Sequence, residues 1–318
     1  MKKNIILFIA LIVMVMTNIS VFGQAKNDPS AIALTIIVPE GIDGFPEGAK
    51  SVLSNKLFQV ATANGLAAGE NFGRFFITAI PSILTKDVVP GPPTQVAQNM
   101  EITFYIADYF DQKVFATTSI SCKGVGTNDT KAYIEAIKRI GANSPQLKEF
   151  IENGKQKIVD YYIAQCDNII NKAKSLAGQK SYEEALYLLT AIPEATGGCF
   201  SKSLVETQNV YQQYVNQLCD VNFALAKSAW AAEQNSAGAQ KAGIYLSNIY
   251  PDAACYGEAE KLYKEIKGKV LDDWKFVMKM YQDGVNLESQ RINAWRDVGV
   301  AFGKNQQPTT YNIAWLVR

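Results

Sequence analysis

Five cysteines, Cys122, Cys166, Cys199, Cys219 and Cys255, are the residues of this chain best equipped for covalent chemistry. Two chemistries suit them. Thiolates spaced as Cys-x-x-Cys, helped by histidine, build tetrahedral zinc sites, whereas cysteines tens of residues apart in an exported protein become disulfides. The sequence has no Cys-x-x-Cys pair and no histidine, so disulfides are expected at Cys166–Cys199 and Cys219–Cys255, and no metal site is expected. Each bridge would close a loop of about thirty-five residues and contribute ~3–4 kcal/mol in the chain-entropy account. Cys122 is left over. It reads as a buried, inert thiol at a strand end, because a reactive thiolate needs more positive charge nearby than Lys123 supplies.

The absence of histidine removes Ser-His-Asp and Cys-His nucleophiles, histidine–carboxylate metal sites and histidine proton shuttles together. No Ser-x-x-Lys occurs, so the histidine-free route to serine acylation is closed as well. Gly124-Val125-Gly126 invites a phosphate-loop reading, but Asp129 takes the third glycine position of a dinucleotide fingerprint and no Gly-Lys-Ser/Thr follows. A turn and helix cap fit better. Asp108 and Asp111 flank a tight hairpin, where Asp is a turn former, so a catalytic carboxylate pair is disfavoured there. No catalytic residue and no cofactor are expected. Trp274, Tyr281, Trp295 and Trp315 would make a sugar-stacking platform if exposed, although such residues at helical spacing more commonly pack in cores. Trp274, Trp295 and Trp315 are the candidate interaction residues.

The elements that position these residues form two parts. Residues 24–144 are expected as an α/β unit of α+β class, with the order β-α-β-β-β-α and a mixed or antiparallel sheet carrying helices on one side. A strand over Ala31 to Val38 precedes an amphipathic helix over Glu47 to Asn64, with Gly65 as its stop. Strands at Arg74 to Leu84 and Met100 to Tyr109 are separated by Val88 to Gln98, whose Pro90, Pro92 and Pro93 cannot sit inside a sheet. Asp111-Gln112 turns the chain into a strand over Val114 to Ser121. Thr127, Asn128 or Asp129 then caps a helix with Tyr133, Ala136, Ile137 and Ile140 on one face.

Residues 145–318 are expected to be an all-α repeat domain, because strand signals vanish and Ala, Lys, Glu, Gln, Leu and Tyr take over. Cys166-Asp167, Ala173-Lys174, Ala185, Leu189, Ile192-Pro193 and Cys199 recur as Cys219-Asp220, Ala226-Lys227, Ala242, Leu246, Ile249, Pro251 and Cys255. The repeats, about 166–199 and 219–255, are followed by a long helix and a tail. A repeat that cannot bury its own apolar face must stack on its neighbour, and such stacks offer concave binding surfaces. Residues 155–300 are similar to tetratricopeptide-type helical hairpins, with a longer period and without that family's Trp-Leu-Gly-Tyr pattern. The tail from Thr310 to Val317 is apolar enough to dock on the body or on a partner.

Lys2 and Lys3, the apolar run Ile5 to Met16 and small residues near Gly23 read as a signal peptide over residues 1–23. Its apolar run falls short of the ~20 residues needed to span a bilayer, and no later run does so; no transmembrane segment is expected in the mature chain. No cysteine near the expected cleavage point is available for lipid attachment. Loss of the two lysines moves the formal charge from +1 to just below zero, so there is no electrostatic case for nucleic acid. Lys155 with Lys157, and Lys267 with Lys269, read as solvated helix faces.

Asn55-Lys56-Leu57 on a helix, the strand at Arg74-Phe75, the Asp108 hairpin and Gly124-x-Gly126 leading into Ala132 and Ala136 carry a resemblance over about residues 30–165. This part resembles the envelope superfamily of the curli secretion-channel lipoprotein and the lipoprotein activators of penicillin-binding proteins. The resemblance implies a non-enzymatic assembly or activator module at the outer membrane. The expected function is that of an exported adaptor, periplasmic or at the cell surface, with envelope or outer-membrane proteins as partners. A protein binding glycan or peptidoglycan fragments is the alternative, ahead of a glycoside hydrolase working with carboxylates alone.

Overall fold

The computed structural model describes residues 29, 32–38, 46–66, 74–270, 274–305 and 313–317, so the expected signal peptide lies outside the described residues. The first part follows the expected order: β1 (Thr35–Ile36), α1 (Glu47–Ala63), β2 (Phe75–Val89), β3 (Gln95–Asp108), β4 (Lys113–Gly126) and α2 (Asp129–Lys138). The strands lie side by side in sequence order. β1 runs parallel to β2, and the other neighbours are antiparallel, which makes the sheet mixed. Leu53, Leu57, Val60 and Ala61 of α1 are fully buried at helical spacing, and Gly65 leaves the helix with φ +67°, a conformation glycine adopts without strain. Gln112 takes the left-handed position of the β3–β4 turn, and Asn128 caps α2 by accepting from the Lys131 N–H.

The strands differ from expectation at the prolines. β2 runs on to Val89 and β3 begins at Gln95, so Pro90, Pro92 and Pro93 occupy only the tight turn between them. Pro81 even lies within β2, opposite Ile102. A proline is tolerated in a strand whose N–H side meets no partner, and β1 pairs with β2 only at Phe76 and Ile77. Beyond those two residues β2 is an edge among the described residues.

Alternation along the strands gives the sheet two apolar faces. Ile77, Ile102, Phe104 and Ile106 belong to the main core, with α1, α2 and the helix that follows them. Phe76, Ile80 and Ala107 form a second cluster on the opposite face, which is capped by Ile313 and Leu316 near the end of the chain. Helices therefore cover one face as expected, and the tail covers the other. Gly124 and Gly126 explain how closely α2 lies on β4: a Cβ at Gly124 would stand 1.8 Å from the Ala132 carbonyl oxygen, and one at Gly126 2.5 Å from the Ala132 nitrogen.

The second part is helical: α3 (Pro145–Ala164), α4 (Cys166–Gly178), α5 (Tyr182–Thr190), α6 (Gly198–Ala232), α7 (Ser236–Leu246), α8 (Tyr256–Val270) and α9 (Leu287–Asn305). Ser144 caps α3 through the Leu147 N–H, with Pro145 at its start. α3 packs on the sheet, where Gly154 sits so close to Ile106 that a Cβ would clash at 2.4 Å. Lys155, expected on a solvated face, is buried here because α3 is covered by both the sheet and the helical part.

The Ala, Leu and Ile residues that recur between the two repeats are core residues. Ala173 and Ala226, Ala185 and Ala242, Leu189 and Leu246, and Ile192 and Ile249 are all buried. Cys166 is bonded to Cys199 and Cys219 to Cys255, with Cα–Cα distances of 5.7 and 6.1 Å. The first bridge ties the start of α4 to the start of α6, and the second ties the middle of α6 to the residue before α8. α9 then folds back across α5. Its Gly299 and Gly303 allow the approach, since added Cβ atoms would meet Thr190 Oγ1 at 2.5 Å and the Tyr187 ring at 2.7 Å.

Candidate functional site

Arg74, the residue before β2, organises the chemistry at the junction of the two parts. Its Nε donates to Asp108 Oδ2 at 2.5 Å, and its Nη2 donates to Asp111. Asp108 is fully buried, and its other oxygen accepts the N–H groups of Phe110 and Asp111 at 2.9 and 3.1 Å. The two hairpin carboxylates are thus occupied by one guanidinium and by their own turn. Tyr162 and Tyr187 flank the guanidinium, with ring centroids 6.0 and 5.9 Å away. Burial alone would lower the Arg74 pKa, but Tyr162, Asp108 and Asp111 together hold it above its ordinary value. Burial pushes the Tyr187 hydroxyl up to about 12.

A cavity of about 370 Å³ opens beside this cluster. Three separate stretches build it: Arg74 and Phe110 from the sheet, Tyr187 and Glu194 from α5 and the loop after it, and Val300 and Lys304 from α9. Phe200 and Arg296 complete the walls, which are mostly apolar. The sequence gives little sign of this site, since its parts come from stretches far apart along the chain. The Gly299-x-x-x-Gly303 spacing is its one local signal, marking where α9 approaches another helix.

Apart from Asp108 and Asp111, the residues singled out in the sequence lie elsewhere. Trp274 and Trp295 are 5 % and 4 % exposed, so they are core residues and not a stacking platform. The Trp274 indole donates to the Ala239 carbonyl at 2.9 Å, and Trp295 stands 6.2 Å from the Tyr211 ring. Helix packing claims both rings. Trp315 is half-buried and meets Phe76 edge-on at 6.4 Å. Tyr281 donates to Asp252, which also accepts from Arg291 at 3.1 Å. Cys122 is free and buried in β4 opposite Met100, and burial raises its thiol. Gly124 and Gly126 carry α2 directly against them, which leaves no room for a phosphate. Among the described residues, no group of three His, Cys, Asp or Glu could hold a metal, and no helix is long and apolar enough to cross a membrane.

The outer half of β2 is a different kind of surface. From Ser82 to Val89 every residue is exposed, including Ile83, Leu84 at 58 %, Val88 at 60 % and Val89. No described strand pairs with its outer edge there.

No protein-family model matches this sequence, and no curated protein does. Two solved structures show partial likeness. One is a minor lipoprotein from Acinetobacter baumannii, 14% identical with a TM-score of 0.24, over 40% of this chain and 92% of that one. The other is described as a lipoprotein from Caulobacter crescentus, 15% identical with a TM-score of 0.20, over 43% of this chain and 89% of that one. Likeness at this level carries no inference about activity.

Proposed function

We propose that this chain is an exported envelope protein without catalytic activity, acting as an adaptor or assembly factor through contacts with other proteins. The observation that carries the reading is the outer half of β2, an edge unpaired among the described residues and bearing four exposed large apolar residues, Ile83, Leu84, Val88 and Val89. Free edges pair with strands of other chains, and natural proteins usually blunt them with charge or cover. Only Lys86 and Asp87 interrupt this one, and Lys86 is already paired with Asp129. Export is supported by the two disulfides, which form and persist in oxidising compartments, and by the signal-like first residues. The resemblance of residues 30–165 to envelope assembly and activator modules points the same way, as does the likeness of the helical part to tetratricopeptide arrays.

The glycan-binding alternative depended on exposed indoles, and Trp274 and Trp295 are buried. The hydrolase alternative calls for a helical groove lined by paired acids; the one acid pair singled out in the sequence, Asp108 and Asp111, lies in the sheet hairpin and is held by Arg74. The test is capture of partners by residues 24–318 from cross-linked envelope preparations, beside the double variant Leu84→Lys/Val88→Lys. Both positions are exposed, so the variant keeps its fold. One envelope protein recovered in stoichiometric amount by the parent and lost with the variant is the expected outcome. Equal recovery by both, or retention of glycan fragments alone, contradicts the reading.

A further inference from the structure

We propose that the cavity between the start of β2, α5 and α9 binds an amphipathic organic monoanion: an apolar chain or ring system carrying one carboxylate. Its volume of about 370 Å³ lies within the range of small-molecule sites, and Phe110, Phe200 and Val300 supply apolar wall. Gly303 rests on the Tyr187 ring and Gly299 on Thr190, so α9 passes close over α5 and brings Arg296 and Lys304 to the cavity that Tyr187 and Glu194 also line. Glu194 balances one of these cations in formal charge. Arg74 is already matched by Asp108 and Asp111, whereas Lys304 has no ion-pair partner among the described residues.

On the same wall the Tyr187 hydroxyl is buried, with Arg74 as its cationic neighbour and no hydrogen bond of good geometry among the described residues. A buried hydroxyl left unmatched is costly, and a cation beside apolar wall attracts an anion more strongly than it would in bulk water. One carboxylate, accepting from the Tyr187 hydroxyl and from Lys304 Nζ, answers both groups while its apolar body covers the wall. Inorganic anions lack the body, and neutral amphiphiles lack the charge. This inference is independent of the partner reading, because the cavity and the β2 edge share no residue.

The experiment is calorimetric titration of residues 24–318 with decanoate, with 1-naphthoate as a ring-bodied arm and with decanol and acetate as controls. Decanoate or naphthoate is expected to bind one to one, with decanol weaker by about tenfold and acetate not binding. Lys304→Gln should weaken the anion by about tenfold and leave decanol unchanged. Tyr187→Phe keeps the ring that packs on Gly303. It should weaken the anion by about threefold without lowering the Tm of the free protein, which a merely structural hydroxyl would not do. Failure of both anions to saturate below millimolar concentration overturns the proposal. So does equal affinity for decanol and decanoate, or unchanged affinity in Lys304→Gln.

Discussion

At Arg74 one guanidinium answers two carboxylates and sits between two tyrosine rings, and Asp108 has no access to solvent. Removing the cation would strand a buried charge. Arg74→Met is expected to cost about 3–5 kcal/mol in urea denaturation, and adding Asp108→Asn should recover part of that loss. Neither the partnership nor its burial was legible in the sequence. Asp108 and Asp111 were readable as turn residues, which they are, but nothing local says that a residue 34 positions earlier closes over them. Cys122 was legible as a buried thiol, and burial raises its pKa. With the folded value raised, the contribution is fully present below the ordinary thiol range. It is lost as the pH rises past that range, because the unfolded chain ionises first. A thiol reagent at about pH 8 should therefore label no cysteine in the native protein and one in guanidinium, in the absence of reductant.

Among the elements, close approach of backbones decides where helices lie. Gly124 faces the backbone of α2, where no side-chain rotation can relieve a clash. Gly124→Ala is expected to destabilise by about 3 kcal/mol or more, measured by denaturant melt, because α2 must lift from β4. The β-α-β-β-β-α order was legible because apolar spacing switches between two and 3.6 residues at turn-forming clusters. Strand length was not. Prolines mark turns locally, but whether Pro81 can stay in a strand depends on its N–H side, where no described strand pairs with it. The exposed outer half of β2 follows from that same missing neighbour, so the best candidate surface was hidden by the segment expected to be a linker.

For the whole molecule, repetition in the sequence corresponds to burial: the recurring Ala, Leu and Ile positions form a core continuous from Ile32 to Trp295. The two disulfides fasten this helical part, separated by 33 and 36 residues. Reducing both should lower stability by about 3–4 kcal/mol per bridge, with Cys166→Ser/Cys199→Ser reporting the first alone. What the sequence could not convey is that the chain's last helix and turn return to the beginning. α9 crosses α5 to close the cavity, and Ile313 and Leu316 cap the outer face of the sheet. Among the described residues, those contacts leave the β2 edge as an apolar surface of the sheet still open. The most direct measurement of the central claim places a photo-reactive amino acid at Leu84, and at the equally exposed Val205 of α6 as control, followed by irradiation of intact cells. A single cross-linked envelope protein from position 84, absent from position 205, is the predicted result. No adduct at position 84, or the same adducts from both positions, would contradict the account.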